Sequence, residues 1–263
     1  DLPQYMNTTN KRKVIYDILK DLDIKSINKL LKYSDSFVLL TEYMKEKLNL
    51  RDKPYVVIEG ICEIEANINT KCSNNTLFNK NKKIILYTGT LNEKYGVIHL
   101  VNAFKSIKNS NYELVFCGDG DSKNKIIEES KKDNRIILKG ILPREEILKI
   151  QKEATVLVNP RKDDNEFCKY SFPSKLLEYL YSGVPIIAYK LRGITNEYDD
   201  YINYVEGGSD EALRNKILEI CEKKYYERKK IAEEGRNFII KNKSSKVQCE
   251  KILNMINSLF YYI

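Results

Sequence analysis

The sequence has a single histidine, His99, and no CxxC pair among its six cysteines. Tetrahedral zinc sites and haem attachment need such ligands at close spacing, so neither is supported. Scattered thiols such as Cys117, which follows the apolar run LVF, read as reduced cysteines of a cytosolic enzyme. No apolar run approaches the roughly 18–20 residues of a membrane span. The opening DLPQYM is polar and acidic, unlike a signal peptide, and lacks an initiator methionine, as expected of a fragment or processed chain. There is no GxxxxGK phosphate loop, and GDGDSK falls short of a full GxGxxG. Positive charge is in excess, at a formal +8, but lysine is interleaved with glutamate, as in EKKYYERKK. No block therefore reads as a nucleic-acid arm. Ordinary surface charge is the main reading, with weak attraction to phosphates or an anionic membrane surface as the second.

What is present fits a folded domain: of 263 residues, 42% are hydrophobic and 31% charged. From residue 82 the chain alternates strand and helix patterns. KKIILYTG, YELVFCG, RIILKG, TVLVNP and VPIIAY read as strands. Between them lie helical patterns, including Val97, Leu100, Val101, Phe104 and Ile107 on one face, DSKNKIIEESKK, PREEILKIQKEA with proline at its first turn, and SFPSKLLEYLYSG ending at glycine. Strand starts fall roughly 20–30 residues apart, room for one crossover helix each. The strands are short and continuously apolar, as in a sheet covered on both faces. Residues 82–206 are thus expected to form an α/β, Rossmann-like parallel sheet with helices on both faces, and helices from about Asp210 to Lys241 to complete the domain of 82–241. Residues 1–60 hold helix-like segments, a strand candidate SFVLL, the helix TEYMKEKL and the strand YVVIEG, too little for a sheet of their own. The Asn- and Thr-rich residues 61–81 read as a linker or loop. In residues 242–263, Val247, Ile252, Leu253, Ile256, Leu259 and Phe260 fall at helical spacing, which predicts a docking helix, with adsorption to a membrane surface as the minority reading.

In an open parallel sheet, ligands bind beyond the carboxyl ends of the strands. The helix opening YSFPSKLLEYL is the best candidate there. Proline has no amide to leave unpaired, and the amides of Ser174, Lys175 and Leu176 would form an anion site at the positive end of the helix dipole. Ser174, Lys175, Glu178 and Ser182 share a face, while Leu176, Leu177 and Leu180 bury on the other. A carboxylate one turn into such a helix suits ribose hydroxyls. An ordinary Lys175–Glu178 surface pair explains the same pattern equally well.

Taken together, the motifs resemble the C-terminal half of the family 4 glycosyltransferases, whose GT-B fold sets two Rossmann-like domains across a cleft. The resemblance covers about residues 35–240. It runs through YSDSFVLLTEYMKEKL, VVIEGI, LYTGTLNEKYGVIHLVNAF, LVFCGDGD, RIILKGILPREEILKIQKEATVLVNP and FPSKLLEYLYSGVPIIA. Residues 1–60 then look like a remnant of the N-terminal acceptor domain plus the interdomain crossing. The resemblance implies a transferase that moves a sugar from a nucleotide-sugar donor with retention, without a metal or other cofactor. It would serve surface-polysaccharide synthesis of the capsule, exopolysaccharide or lipopolysaccharide kind, on a glycan or lipid-linked acceptor. Its place would be the cytoplasm, with the inner face of the membrane as a contact. Because most of the N-terminal domain is absent from this sequence, the chain alone is expected to bind nucleotide weakly and to transfer poorly.

By the same resemblance, Glu178 matches the second of two family glutamates eight residues apart, the ribose partner, and Tyr170 stands where the first would contact the sugar. Lys94 matches the lysine of a diphosphate-neutralising pair, making Lys94 and Glu178 the implied catalytic residues. Thr90 replaces the usual arginine, and Arg161 or Lys175 could supply that charge from the opposite loop. Further donor contacts are implied at Gly89, at Gly118 and Gly120, and at Gly140 and Ile141 near the base. The run Tyr170, Ser171, Phe172, Pro173, Ser174, Lys175 and Leu176 completes them. Two other readings stand beside this one. A nucleotide-sugar epimerase on the same architecture would need an acid–base histidine that is not seen, since His99 lies between Ile98 and Leu100 as a structural residue. The other is a non-catalytic nucleotide-sugar-binding or interaction module.

Overall fold

The computed structural model describes residues 14–64, 78–79 and 81–260. Most of the expected linker, residues 1–13 and residues 261–263 lie outside them. Six strands form one parallel sheet: β3 (Lys83–Thr88), β4 (Tyr112–Cys117), β5 (Ile136–Gly140), β6 (Val156–Asn159), β7 (Ile186–Ala188) and β8 (Asn203–Tyr204). Their order across the sheet is β5-β4-β3-β6-β7-β8. Crossover helices α3 (Val97–Lys105), α4 (Lys123–Lys132), α5 (Arg144–Glu153) and α6 (Lys175–Ser182) connect the strands, with α7 (Asp210–Glu222) and α8 (Tyr225–Asn242) packed after them. The sheet is a doubly wound α/β layer with helices on both faces. β3, β4 and β6 are its centre, and Ile85, Leu86, Leu114, Val115, Val156 and Leu157 have no measurable exposure. Each such side chain contributes about 1.5–3 kcal/mol of transfer free energy, which is why these strands read as unbroken apolar runs rather than alternating ones.

β8, at the sheet edge, is an addition to the five strands expected. It is two residues long, paired through Ile187↔Asn203 and Ala188↔Tyr204, and a dipeptide carries no periodicity to recognise.

The N-terminal part is a small unit. α1 (Val14–Leu30) precedes β1 (Phe37–Leu39), α2 (Tyr43–Lys47) and β2 (Tyr55–Val57), and β1 and β2 pair in parallel from Phe37↔Tyr55 to Leu39↔Val57. It has its own buried cluster of Leu39, Met44, Leu50 and Tyr170. From β2 the chain crosses to the large sheet, packing Gly60 so closely on α6 that a Cβ there would stand 2.7 Å from Leu177 Cδ1.

α9 (Ser245–Phe260) packs against α8 and β2, as a docking helix should. Its expected apolar stripe splits, however: Val247, Ile252 and Leu259 are half-buried, whereas Leu253, Ile256 and Phe260 are exposed. At the junction of α8 and α9, Lys243 is 1% exposed. Its ammonium donates to both carboxylate oxygens of Glu59, at 3.1 and 3.0 Å, and to Glu197 Oε1 at 2.8 Å. The crossing, the C-terminal helices and the segment before β8 are thereby fastened at one buried point. Among the described residues, no helix is long and apolar enough to cross a membrane.

Candidate functional site

Between β3 and β6 the winding of the sheet reverses, and in open α/β sheets ligands bind at the carboxyl end of that switch point. Two cavities lie there, of about 250 and 290 Å³, and Ser174 and Lys175 at the start of α6 line both.

The first cavity is lined by Tyr87 of β3 and Thr90 just after it, by Asn159 at the end of β6 and Arg161 just after it, and from the approach to α6 by Ser171, Phe172 and Pro173. Its charged lining residues are Arg161 and Lys175, and none is acidic. Arg161 is only 6% exposed. Its Nη2 donates to Ser171 Oγ at 2.9 Å and approaches Cys168 Sγ at 3.3 Å, and the guanidinium lies 4.9 Å from the Phe167 ring centre. Among the described residues it has no carboxylate partner. A buried cation without a counter-charge is costly, and an anion in this cavity would offset that cost.

Lys175 reaches the same place from the other side. Gly89, at φ +139°, leaves the space its side chain crosses: a Cβ there would stand 2.2 Å from Lys175 Cε and 3.2 Å from its Nζ. The helix start contributes as well, though less than expected. The amides of Leu176 and Leu177 donate to the carbonyls of Pro173 and Ser174, at 2.8 and 3.1 Å. Among the described residues, those of Ser174 and Lys175 have no such acceptor, as for the first amides of any helix. The amide of Leu176 is thus used within the turn, and its side chain is in the core.

The second cavity is lined by Cys62 and Glu63 after β2, by Arg144 and Leu148 of α5, and by Glu178 and Tyr181. Glu178 does not pair with Lys175. Its Oε1 accepts instead from Nε2 of Gln151, a side chain with no exposure, and the same nitrogen donates to Thr88 Oγ1 at 3.1 Å. Burial and the nearby charge of Glu178 push the Cys62 thiol up to about 11, so it stays protonated and unreactive at neutral pH. Tyr179, fully buried on α6, fixes the helix to the end of β3: its hydroxyl accepts from the Thr88 amide at 2.8 Å and donates to the Thr88 carbonyl at 3.2 Å. Ser182, expected on the polar face, is buried and donates to the Tyr179 carbonyl.

Other expected site residues stand elsewhere. Tyr170 is turned away from both cavities into the N-terminal cluster with Leu39, Met44 and Leu50, because an apolar ring gains more there than at a charged ligand site. The side-chain space at Gly118 and Gly120 is taken by neighbouring main chain, since a Cβ would meet Gly89 O at 1.8 Å and Leu91 O at 2.5 Å. These two glycines bring strand ends together, Gly118 N–H donating to Gly140 O at 2.7 Å, and line neither cavity. Gly140 has open space around it and Ile141 is 76% exposed, both outside the cavity walls. Lys94 is exposed in the short 3-10 turn Glu93–Tyr95, its ammonium 5.0 Å from the Tyr95 ring centre, and Tyr95 rather than Lys94 lines the first cavity.

His99 is a bolt between helices. Its Nδ1 meets Asp210 Oδ1 at the start of α7 and its Nε2 meets the Tyr189 hydroxyl at 2.7 Å. Burial holds its pKa below the ordinary value against the opposing pull of Asp210.

The sequence matches the family profile of the glycosyl transferases group 1 over residues 69–238, more than half of the chain. No curated protein sequence matches it. Among solved structures, sucrose-phosphate synthase from Thermosynechococcus elongatus superposes with a TM-score of 0.72 at 16% identity, covering 100% of this chain and 67% of that one. An Anabaena protein, HepE, in complex with UDP and glucose, gives 0.65 at 12% identity over 89% of this chain and 66% of its own. WaaG, a glycosyltransferase involved in lipopolysaccharide biosynthesis, gives 0.60 at 16% identity over 76% of this chain and 57% of its own. The chain thus spans about two thirds or less of these three solved proteins. At such identities the superpositions show the fold, a GT-B-type Rossmann domain, while the profile shows the lineage: the chain belongs to the glycosyl transferases group 1.

Proposed function

We propose that this chain binds the nucleotide-sugar donor of a retaining glycosyltransferase, with the diphosphate in the first cavity and the ribose beside Glu178 in the second. The observation that carries the reading is the buried Arg161, without an acidic partner, facing Lys175 in a cavity free of carboxylates. Two fixed cations and the amides of Ser174 and Lys175 supply the positive charge a departing diphosphate needs, already oriented before the reaction. In this reading the departing charge is met by protein groups without a metal, and Lys94 approaches the diphosphate from the rim. The binding of UDP and glucose by HepE and the pathway of WaaG support a nucleotide-sugar donor and a surface-glycan product. The acceptor is then a glycan or lipid-linked glycan, met at the cytoplasmic face of the membrane.

Calorimetric titration with UDP-, GDP- and TDP-sugars tests the reading. At least one donor binds the unaltered chain, and Glu178→Ala weakens that donor about tenfold, the worth of charge-assisted hydrogen bonds to ribose. Binding of none of them, or undiminished binding by Glu178→Ala, contradicts it.

A further inference from the structure

The amide of Gln151 is in the wrong place for a core side chain. It lies on α5 beside the buried Leu148 and Ile150, has no exposure, and yet ends in four hydrogen-bonding positions that a hydrocarbon would not bring. One nitrogen serves two elements, donating to Thr88 Oγ1 at the end of β3 and to Glu178 Oε1 on α6. The oxygen, Oε1, is buried and has no hydrogen-bond partner among the described residues. Orphaned polar atoms of this kind are rare and call for an explanation.

The chemistry of Glu178 gives one. An ionised carboxylate only accepts hydrogen bonds, so the amide must turn its nitrogen toward Glu178 and leave its own oxygen stranded.

We propose that Gln151 is a positioning residue of the donor site. It holds one carboxylate oxygen of Glu178 turned inward and leaves the other to the cavity, and through Thr88 it ties that carboxylate to the strand end beside Gly89. The inference rests on the reading of Glu178 as the ribose partner. The other ionisable groups around Glu178 are Arg144 of α5, Glu63 and Cys62 after β2, and Lys175, Tyr179 and Tyr181 on α6. Arg144 and Glu63 face each other at 3.6 Å.

Two variants separate positioning from packing. Gln151→Leu keeps the shape and removes the donor, and UDP binds it about tenfold more weakly than the unaltered chain, while inorganic pyrophosphate, which has no ribose, binds both equally. Gln151→Glu supplies the same donor only when protonated. Measured as a ratio to the unaltered chain at each pH, so that the titration of UDP cancels, its UDP affinity is near normal at acid pH and falls about tenfold as the pH rises and two carboxylates oppose each other. Circular dichroism across that range shows the variant folded throughout, so the comparison stands even where Gln151→Leu does not fold. Equal UDP affinity in all three chains with a flat pH ratio overturns the inference and leaves Gln151 a packing residue. Failure of the unaltered chain to bind UDP, GDP or TDP overturns the ribose reading and this inference with it.

Discussion

Replacing Arg161 by alanine is expected to weaken binding of a nucleoside diphosphate about a hundredfold, the scale for truncating a desolvated charge from a buried ionic contact. The size follows from where the charge sits. Arg161 is held by Ser171 and Phe167 in a cavity with no acid of its own, so a phosphate arriving there meets a cation already stripped of most of its water. Arg161→Lys keeps the charge but loses the planar fork that stacks on Phe167, and recovers only part of the affinity. Arg161→Ala, which removes the charge, is expected not to lower the melting temperature of the ligand-free chain. An unpartnered buried cation opposes folding, and its removal relieves that opposition even as the stacking on Phe167 is lost. Calorimetry and thermal unfolding of the same preparations check both halves. Full donor affinity in Arg161→Ala would refute the assignment.

Lys243→Met is expected to cost about 3–5 kcal/mol of stability, because it strands Glu59 in the interior without its ammonium. Glu59 has almost no exposure, and burial already holds its pKa above the ordinary carboxylate value even with Lys243 in place. Glu197, more exposed, is held below that value by Lys243 despite partial burial. The sign of the pH dependence follows. With Lys243 gone, Glu59 has a folded-state pKa raised further above its unfolded value, so its stability contribution is full below the unfolded pKa and is lost as pH rises through the folded one. The deficit of Lys243→Met is therefore complete at neutral pH and shrinks on acidification toward the ordinary carboxylate range. Denaturant unfolding at several pH values reads this directly. Adding Glu59→Gln, which removes the stranded charge, recovers much of the loss at neutral pH. A deficit independent of pH would mean that Lys243 acts through its aliphatic packing alone.

These two residues show how differently parts of the molecule could be read from the chain. The sheet was legible because central parallel strands are buried on both faces, and runs such as KIILYT and ELVFC record that in composition alone. The α6 start was legible because Pro-Ser-Lys followed by paired leucines records both a helix boundary and its buried face. Arg161 was legible only as one of two candidates for a charge. What raised it was tertiary: burial at a cavity whose lining carries no acid, which no local window reports. Gln151 and Lys243 left no local signal. Each is a polar residue in a charged stretch, IQKEA and KNKSS, and only the packing of distant segments made them buried. Tyr170 departs in the opposite direction. Alignment with a family glutamate placed it at the ligand, whereas its ring found the apolar cluster of the N-terminal unit. The glycines after β4 likewise answered to strand packing, since their neighbours are the carbonyls of Gly89 and Leu91.

A crystal structure of the chain with a bound nucleoside diphosphate is the measurement that bears most directly on the central claim. The account predicts phosphate oxygens within hydrogen-bonding distance of the Arg161 guanidinium, the Lys175 ammonium and the amides of Ser174 and Lys175, with ribose hydroxyls on the outer oxygen of Glu178. Phosphates bound at any other strand end, with Arg161 still unpartnered and Glu178 untouched, would contradict it.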